Sequence, residues 1–294
     1  EHRNIEYLSP DWLEMVQHVV SEAGRFGMGV DLPPGSGWRI GGPFIDEEMG
    51  SMAFLVEKAE TGDGYVAKVV PCAEEVKRAG PGGRGRAFNP FWRESLRVVE
   101  EHFTASFRGL GIRAQFHDSW EYMCSASPDL FERFVEKRGY DLRDRLAELM
   151  GDRGEEVRAR VMYDLRLTLG DLALEEFIMP WVEWCHQLGH LARNQAHGSP
   201  GNVLDLYAAA DIPETEVFRN VDTDTPIMSK LASSAAHVAG RRLVSSETGT
   251  WLREHFHVSL ADLKLLVDNL FVSGINHHVY HRSEERRVGK ECAT

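Results

Sequence analysis

Ile112-Arg113-Ala114-Gln115-Phe116-His117-Asp118-Ser119-Trp120-Glu121 is a short extended run that stops on polar and acidic residues. A helical pattern over about 90–108 precedes it. A long helical stretch over about 128–188, broken near Gly139 and again from Gly151 to Gly154, follows it. The same rhythm recurs downstream. Leu191 to Gln195 ends at Ala196-His197-Gly198-Ser199-Pro200-Gly201, and Arg242 to Ser246 ends at Glu247-Thr248-Gly249-Thr250-Trp251. Helical patterns over about 226–239 and 260–271 flank the second of these, and Met28–Leu32 and Ile275–Tyr280 read as further strands. Strands alternating with helices of ten or more residues imply parallel βα units. The expectation is therefore an α/β fold, an incomplete TIM-type (β/α)8 barrel. About five of its eight βα units are counted, and units are expected to be missing at both ends.

Around this core the chain changes character in several places. Ser9-Pro10-Asp11 signals a first helix, with Ser9 as N-cap and Pro10 at the first helical position. Residues 46–89 read as an insertion, with Val66–Val70 forming a small β hairpin against Met52–Val56 before the connector Gly80-Pro81-Gly82-Gly83-Arg84-Gly85. That connector has neither glycine spacing used to cradle phosphates. Ile212 to Phe218 reads as a short extended segment outside the core strands. Residues 1–281 are thus expected to form the partial catalytic barrel. Residues 282–294, dense in charge and without barrel periodicity, read as a disordered, foreign-looking tail. The chain opens on Glu1 without a signal-peptide pattern, so a processed protein or a fragment is expected.

Composition narrows the classes. In 294 residues, 43% are hydrophobic and 27% charged, as in ordinary globular proteins. A net charge of −13 argues against a nucleic-acid partner, which requires clustered Lys and Arg. No apolar run approaches the roughly 18–20 residues that span a bilayer, so no membrane partner is expected. The four cysteines have no metal-binding spacing. Oligomeric state is not encoded.

In a parallel α/β barrel the active site lies where strands end. That filter selects Asp118 and Glu121, His197 and Asn202, Glu247, and His278 with His281. Two carboxyl groups from different strands suit glycosidic cleavage, in which one protonates the leaving oxygen and the other activates water or attacks the sugar. Glu121 and Glu247 lead because each neighbours a tryptophan, Trp120 and Trp251, whose faces suit the C–H side of a sugar ring. Asp118 serves equally well as a helix cap, whereas a core-packing role for either tryptophan is the less favoured alternative. Alternation places Glu214 and Glu216 on one side of an extended segment, where they would offer oxygen ligands to Ca²⁺ with Asp205 or Asn202 nearby. An exposed acidic loop explains the spacing as well. His277 and His281 would stand roughly 13 Å apart on a strand, too far to chelate one zinc ion. Ser199 lacks the spacing of a nucleophile elbow.

With these positions in place, the chain resembles glycoside hydrolase family 106, the α-L-rhamnosidases, from about Tyr7 to His281. The resemblance rests on Gly37-Trp38-Arg39-Ile40-Gly41-Gly42-Pro43, Phe116-His117-Asp118-Ser119-Trp120-Glu121 and Arg138-Gly139-Tyr140-Asp141-Leu142. It continues through Ala196 to Tyr207, Asp211 to Glu216, Ser246-Glu247-Thr248 and Gly274-Ile275-Asn276-His277-His278. The resemblance implies a multidomain bacterial enzyme, periplasmic or extracellular, with a catalytic barrel and appended β-domains. Such an enzyme would release terminal L-rhamnose from plant-type polysaccharides or glycosides, with inversion and with calcium in the site. It implies Glu121 and Glu247 as the acid–base pair, without saying which is which. It also implies Glu214 and then Glu216 as calcium-associated carboxylates. Asp118, Trp120, His197, Asn202, Trp251 and His278 are the expected substrate contacts. The alternatives are a retaining glycosidase of another specificity, such as a β-galactosidase, and a carbohydrate-binding fragment without turnover. Open sheet edges predict that this stretch alone is inactive and poorly soluble.

Overall fold

The computed structural model describes residues 4–217, 226–250 and 258–281. Two compact units divide it: residues 1–116, 121–190 and 199–202 in the first, and 117–120, 191–198 and 203–294 in the second. The tail at 282–294 and Trp251 lie outside the described residues.

The first unit opens with helix α1 (Pro10–Arg25), capped as expected by Ser9, whose hydroxyl accepts the Trp12 N–H at 3.2 Å. Strands β1 (Asp31–Leu32) and β2 (Gly41–Gly42) follow. The predicted hairpin is present and longer than expected, with β3 (Met52–Lys58) antiparallel to β4 (Tyr65–Pro71). The short β5 (Arg86–Ala87) pairs antiparallel with β2. Helix α2 (Arg93–Phe107) leads to β6 (Ala114–His117), which runs parallel to β1.

The predicted long helical stretch comprises α3 (Leu130–Arg138), α4 (Leu146–Leu149), α5 (Glu155–Leu172) and α6 (Met179–Gln187). Gly139 ends α3 in the left-handed region at φ 78°, where a side chain would be strained. Between α5 and α6 the backbone widens into a π-turn at Ala173–Ile178. Pro180 explains it, because its ring lacks an N–H and would clash with the carbonyl a turn back. Leu130, Phe134, Leu142, Leu146, Val161 and Leu165 form one apolar cluster, with the inner face of the hairpin packed against it.

The second unit takes over at the last residue of β6, His117, whose carbonyl accepts the Gln195 N–H at 2.9 Å. It contains β7 (Leu191–Asn194), α7 (Val203–Ala209), β8 (Ile212–Glu216), α8 (Pro226–Val238), β9 (Ser245–Thr248), α9 (Leu260–Val272) and β10 (His277–Tyr280). Strands β7 to β10 pair in parallel in chain order, and the sheet order is β1-β6-β7-β8-β9-β10. The fold is an incomplete TIM-type barrel, the class expected.

Two details correct the sequence reading. Ile212–Glu216 is a core strand with partners on both sides, so among the described residues the sheet has six strands where five are expected. Pro213 and three polar residues disguised it, but all five residues are buried. Strand β9 also starts three residues later than expected. The Asn276 side chain accepts the Val244 N–H and donates to the Arg242 carbonyl, each at 2.9 Å, taking up the groups that a longer ladder would use. Glu247 consequently sits inside the strand, not just past its end.

Candidate active site

Glu121 belongs to the first unit, and its neighbours explain how a loop residue is held in place. The next residue, Tyr122, is buried among Phe88 and Phe177, and its hydroxyl accepts the Ile40 N–H at 3.3 Å. One position further, the Met123 N–H donates to Glu74 Oε1 at 2.7 Å. Glu74 is itself fully buried, bonded by the Ser51 hydroxyl at 2.6 Å and paired with Arg39 at 2.9 Å. The buried Arg39–Glu74 pair therefore anchors the backbone that carries Glu121, and Arg39 adopts a left-handed φ of 65° to do so. The Glu121 carboxylate stays about one-third exposed and accepts from Lys77 Nζ at 2.5 Å. Lys77 is fixed in turn, because its backbone pairs with Trp38 in both directions, at 2.8 and 3.0 Å, and its ammonium lies 5.4 Å from the Trp38 ring. The close approach requires Gly37, whose added Cβ would fall 2.4 Å from the Lys77 carbonyl.

Glu247 belongs to the second unit and has a different setting. Parallel register aligns Glu214 with Ser245 and His277, and Glu216 with Glu247 and Val279, so all six share one face of the sheet. Glu247 is 8% exposed. Its Oε1 accepts from the Thr250 hydroxyl at 2.6 Å and lies 3.4 Å from His281 Nδ1, while its Oε2 accepts from Gln195 Nε2 at 2.8 Å. The same Gln195 nitrogen donates to Glu214 Oε1 at 3.0 Å. Glu214 is completely buried, with Ser245 Oγ donating to its Oε2 at 2.5 Å and the Arg193 guanidinium forming an ion pair with the same oxygen at 3.3 Å. Burial pushes its carboxyl above the usual range, and Arg193, Gln195 and Ser245 oppose that shift.

The remaining expected residues divide. Asp118, Trp120 and His197 come together in the second unit, where the Trp120 N–H donates to the His197 carbonyl at 2.8 Å. The Asp118 carboxylate accepts the N–H of Ser119 at 2.7 Å, a local turn bond. Burial lowers the pKa of the His197 ring. Asn202 is an exposed residue of the first unit. His278 lies on the opposite side of β10 from the Glu247 face, edge-on to Phe271 of α9 at 4.8 Å. Its neighbours His277 and Val279 occupy the acidic face instead.

Calcium takes six to eight oxygen ligands, carboxylates among them. Glu214 and Glu216 share a face as expected, but Glu214 does not fit an open ligand position. Both of its oxygens accept protein hydrogen bonds, and a guanidinium already supplies the positive charge beside it. Among the described residues no group of three His, Cys, Asp or Glu side chains is arranged to hold a metal ion.

Gln195, Thr250, Ser245, Arg193 and Lys77 were not singled out from sequence. Gln195 could have been found by parity, since it follows Arg193 on the inner side of the strand leading to His197. Lys77 carries no comparable signal, because only the fold brings it to Glu121.

A parallel α/β sheet with buried glutamates on one face near the ends of its strands has the equipment of a barrel glycosidase. The family model for alpha-L-rhamnosidase, glycoside hydrolase family 106, matches residues 86–291, well over half of the chain. The chain belongs to this family. A rhamnosidase structure from Novosphingobium sp. PP1Y aligns with a TM-score of 0.63 and 26% identity, over 74% of this chain and 23% of that one. A Formosa agariphila protein named for beta-glucuronidase activity is 29% identical over 155 residues, which is 50% of this chain and 13% of the relative. The chain thus spans less than a quarter of the length of either relative.

Proposed function

We propose that the polypeptide carrying this sequence is an inverting α-L-rhamnosidase that releases terminal L-rhamnose from plant-type glycosides, with Glu247 as general base and Glu121 as general acid. The observation that carries the division of roles is the donor set around Glu247, where Gln195 and Thr250 occupy opposite oxygens of a buried carboxylate. Such donors fix the orientation of the carboxylate, as a base that must meet one attacking water requires. Glu121, about one-third exposed, can take up a proton from solvent between turnovers, a step that must loosen its contact with Lys77. In the reaction a water attacks the anomeric carbon as Glu247 takes its proton. The carbon–oxygen bond to the aglycone breaks, and Glu121 protonates the departing oxygen. The substrate class is supported by family membership and by the Novosphingobium rhamnosidase.

The test uses the full-length polypeptide and 4-nitrophenyl α-L-rhamnoside, with the product anomer followed by NMR. Inversion is expected; Glu247→Gln should lower turnover by about two to four decades, and Glu121→Gln should do so on an alkyl α-L-rhamnoside, whose leaving oxygen needs a proton. Near-wild-type turnover in either variant would remove that residue from the mechanism. The name of the Formosa relative motivates one competing substrate, a β-D-glucuronide. Faster cleavage of that aryl glycoside would replace the rhamnoside assignment while leaving the glutamate roles intact.

A further inference from the structure

We infer that Gln195 is a positioning residue for the Glu247 carboxylate, a role that rests on the acid–base reading above. Its side chain is wholly buried, so it acts through its neighbours and not on the substrate. Its Nε2 lies 2.8 Å from Glu247 Oε2 and 3.0 Å from Glu214 Oε1. An ionised carboxylate has only acceptors to offer, and an amide nitrogen has two hydrogens. Chemistry therefore fixes the amide orientation, because turning Oε1 inward would replace two hydrogen bonds with two oxygen–oxygen contacts. The structure uses the whole donor capacity of this side chain to hold two glutamates.

The cost is visible on the other side of the amide. Gln195 Oε1 is buried and has no hydrogen-bond donor among the described residues. Buried acceptors are nearly always satisfied in folded proteins, and an exception calls for a reason. Here the reason is the pair of carboxylates, which an apolar residue of the same size would leave without a shared donor. Gln195 is also braced from behind. Ser245 Oγ holds the second oxygen of Glu214 at 2.5 Å and lies 3.0 Å from His277 Nδ1, so the line His277–Ser245–Glu214–Gln195–Glu247 crosses β10, β9 and β8 to the end of β7 and back to β9. With Gln195 on one oxygen and Thr250 on the other, Glu247 has little freedom to rotate. A fixed carboxylate meets an attacking water at one angle, and orientation of this kind governs turnover more than binding.

The experiment compares Gln195→Leu with the wild type in the full-length polypeptide. On 4-nitrophenyl α-L-rhamnoside, kcat should fall about 10- to 100-fold while KM moves less than about threefold. Unchanged kcat, or a loss confined to KM, would overturn the assignment. If Gln195→Leu fails to fold, Gln195→Met takes its place with the same expectations. A second measurement needs no turnover: a cycle of Gln195→Leu and Glu247→Ala read by thermal denaturation. Non-additive shifts in Tm are expected for bonded partners, and strict additivity would sink the inference. A wild type that cleaves no rhamnoside but shows a coupled cycle would refute the substrate reading and keep Gln195 as the residue that holds Glu247.

Discussion

Glu121 and Glu247 are the same residue type in opposite circumstances. Glu121 stands on a loop after β6, about one-third exposed, with one salt bridge to a lysine from a distant part of the chain. Glu247 lies within β9, nearly buried, with donors on both oxygens. A carboxyl that must give up and regain a proton each cycle benefits from access to solvent, whereas a base that aligns one water benefits from immobility. On the proposed mechanism, this contrast is the ground for giving the two residues different roles, which sequence spacing leaves symmetrical.

The largest effect tests that separation through the leaving group. An aryl glycoside with an acidic phenol departs with little protonation, so Glu121→Gln should lose far less on 2,4-dinitrophenyl than on alkyl rhamnosides. Glu247→Gln should lose about two to four decades on both. Equal losses across the series in both variants would erase the division of labour, and the reverse pattern would exchange the roles.

The second unit also holds the groups that should dominate its response to pH. His117 is fully buried beside Asn194 Oδ1 at 2.8 Å, and burial pushes its pKa down to about 4. The folded state thus prefers the neutral ring. Its contribution is present above the unfolded value near 6.5 and is lost as pH falls towards about 4, on the order of 3 kcal/mol in all. Denaturant melts of the wild type and His117→Gln between pH 7 and 4 should converge as the mixture acidifies. Parallel curves would remove His117 as the cause. Glu214 has the opposite sign. With its folded carboxyl raised by burial, its favourable contribution exists below the ordinary carboxylate range and disappears as pH rises through the raised value. Glu214→Gln should accordingly melt higher than wild type at pH 8, with the advantage shrinking towards pH 4. A lower Tm at pH 8 would show that the Arg193 and Ser245 contacts outweigh desolvation.

The same contrast explains what could be read from the sequence. The barrel class is legible because strands alternate with helices, and period-two alternation put Glu214 and Glu216 on one face. Strand β8 was read as extended but left outside the core because Ile212-Pro213-Glu214-Thr215-Glu216 is rich in polar residues, and burial on both sides overrides that composition. His278 was selected by its place at a strand end, and that criterion does not say which face of the strand a residue occupies. The supports of Glu121 were hidden for another reason. Arg39, Glu74 and Lys77 lie 82, 47 and 44 residues away from it in sequence, roughly, and only the folded first unit brings them together.

The smallest expected effect concerns the exposed fastening. Lys77 and Glu121 are 47% and 34% exposed, and ion pairs at such sites contribute about 0–1 kcal/mol to stability. Lys77→Met should therefore leave Tm within a few degrees of wild type. Because one solvent-screened contact orients Glu121 while Thr250 and Gln195 together orient Glu247, kcat should fall less in Lys77→Met than in Gln195→Leu. Lys77→Arg, which keeps the charge and can still donate, should recover most of the loss, and raising salt towards 1 M should mimic the Met variant in wild type by shortening the screening length to about 3 Å. A larger loss in Lys77→Met than in Gln195→Leu would mean that the exposed contact, and not the buried amide, sets the geometry of catalysis.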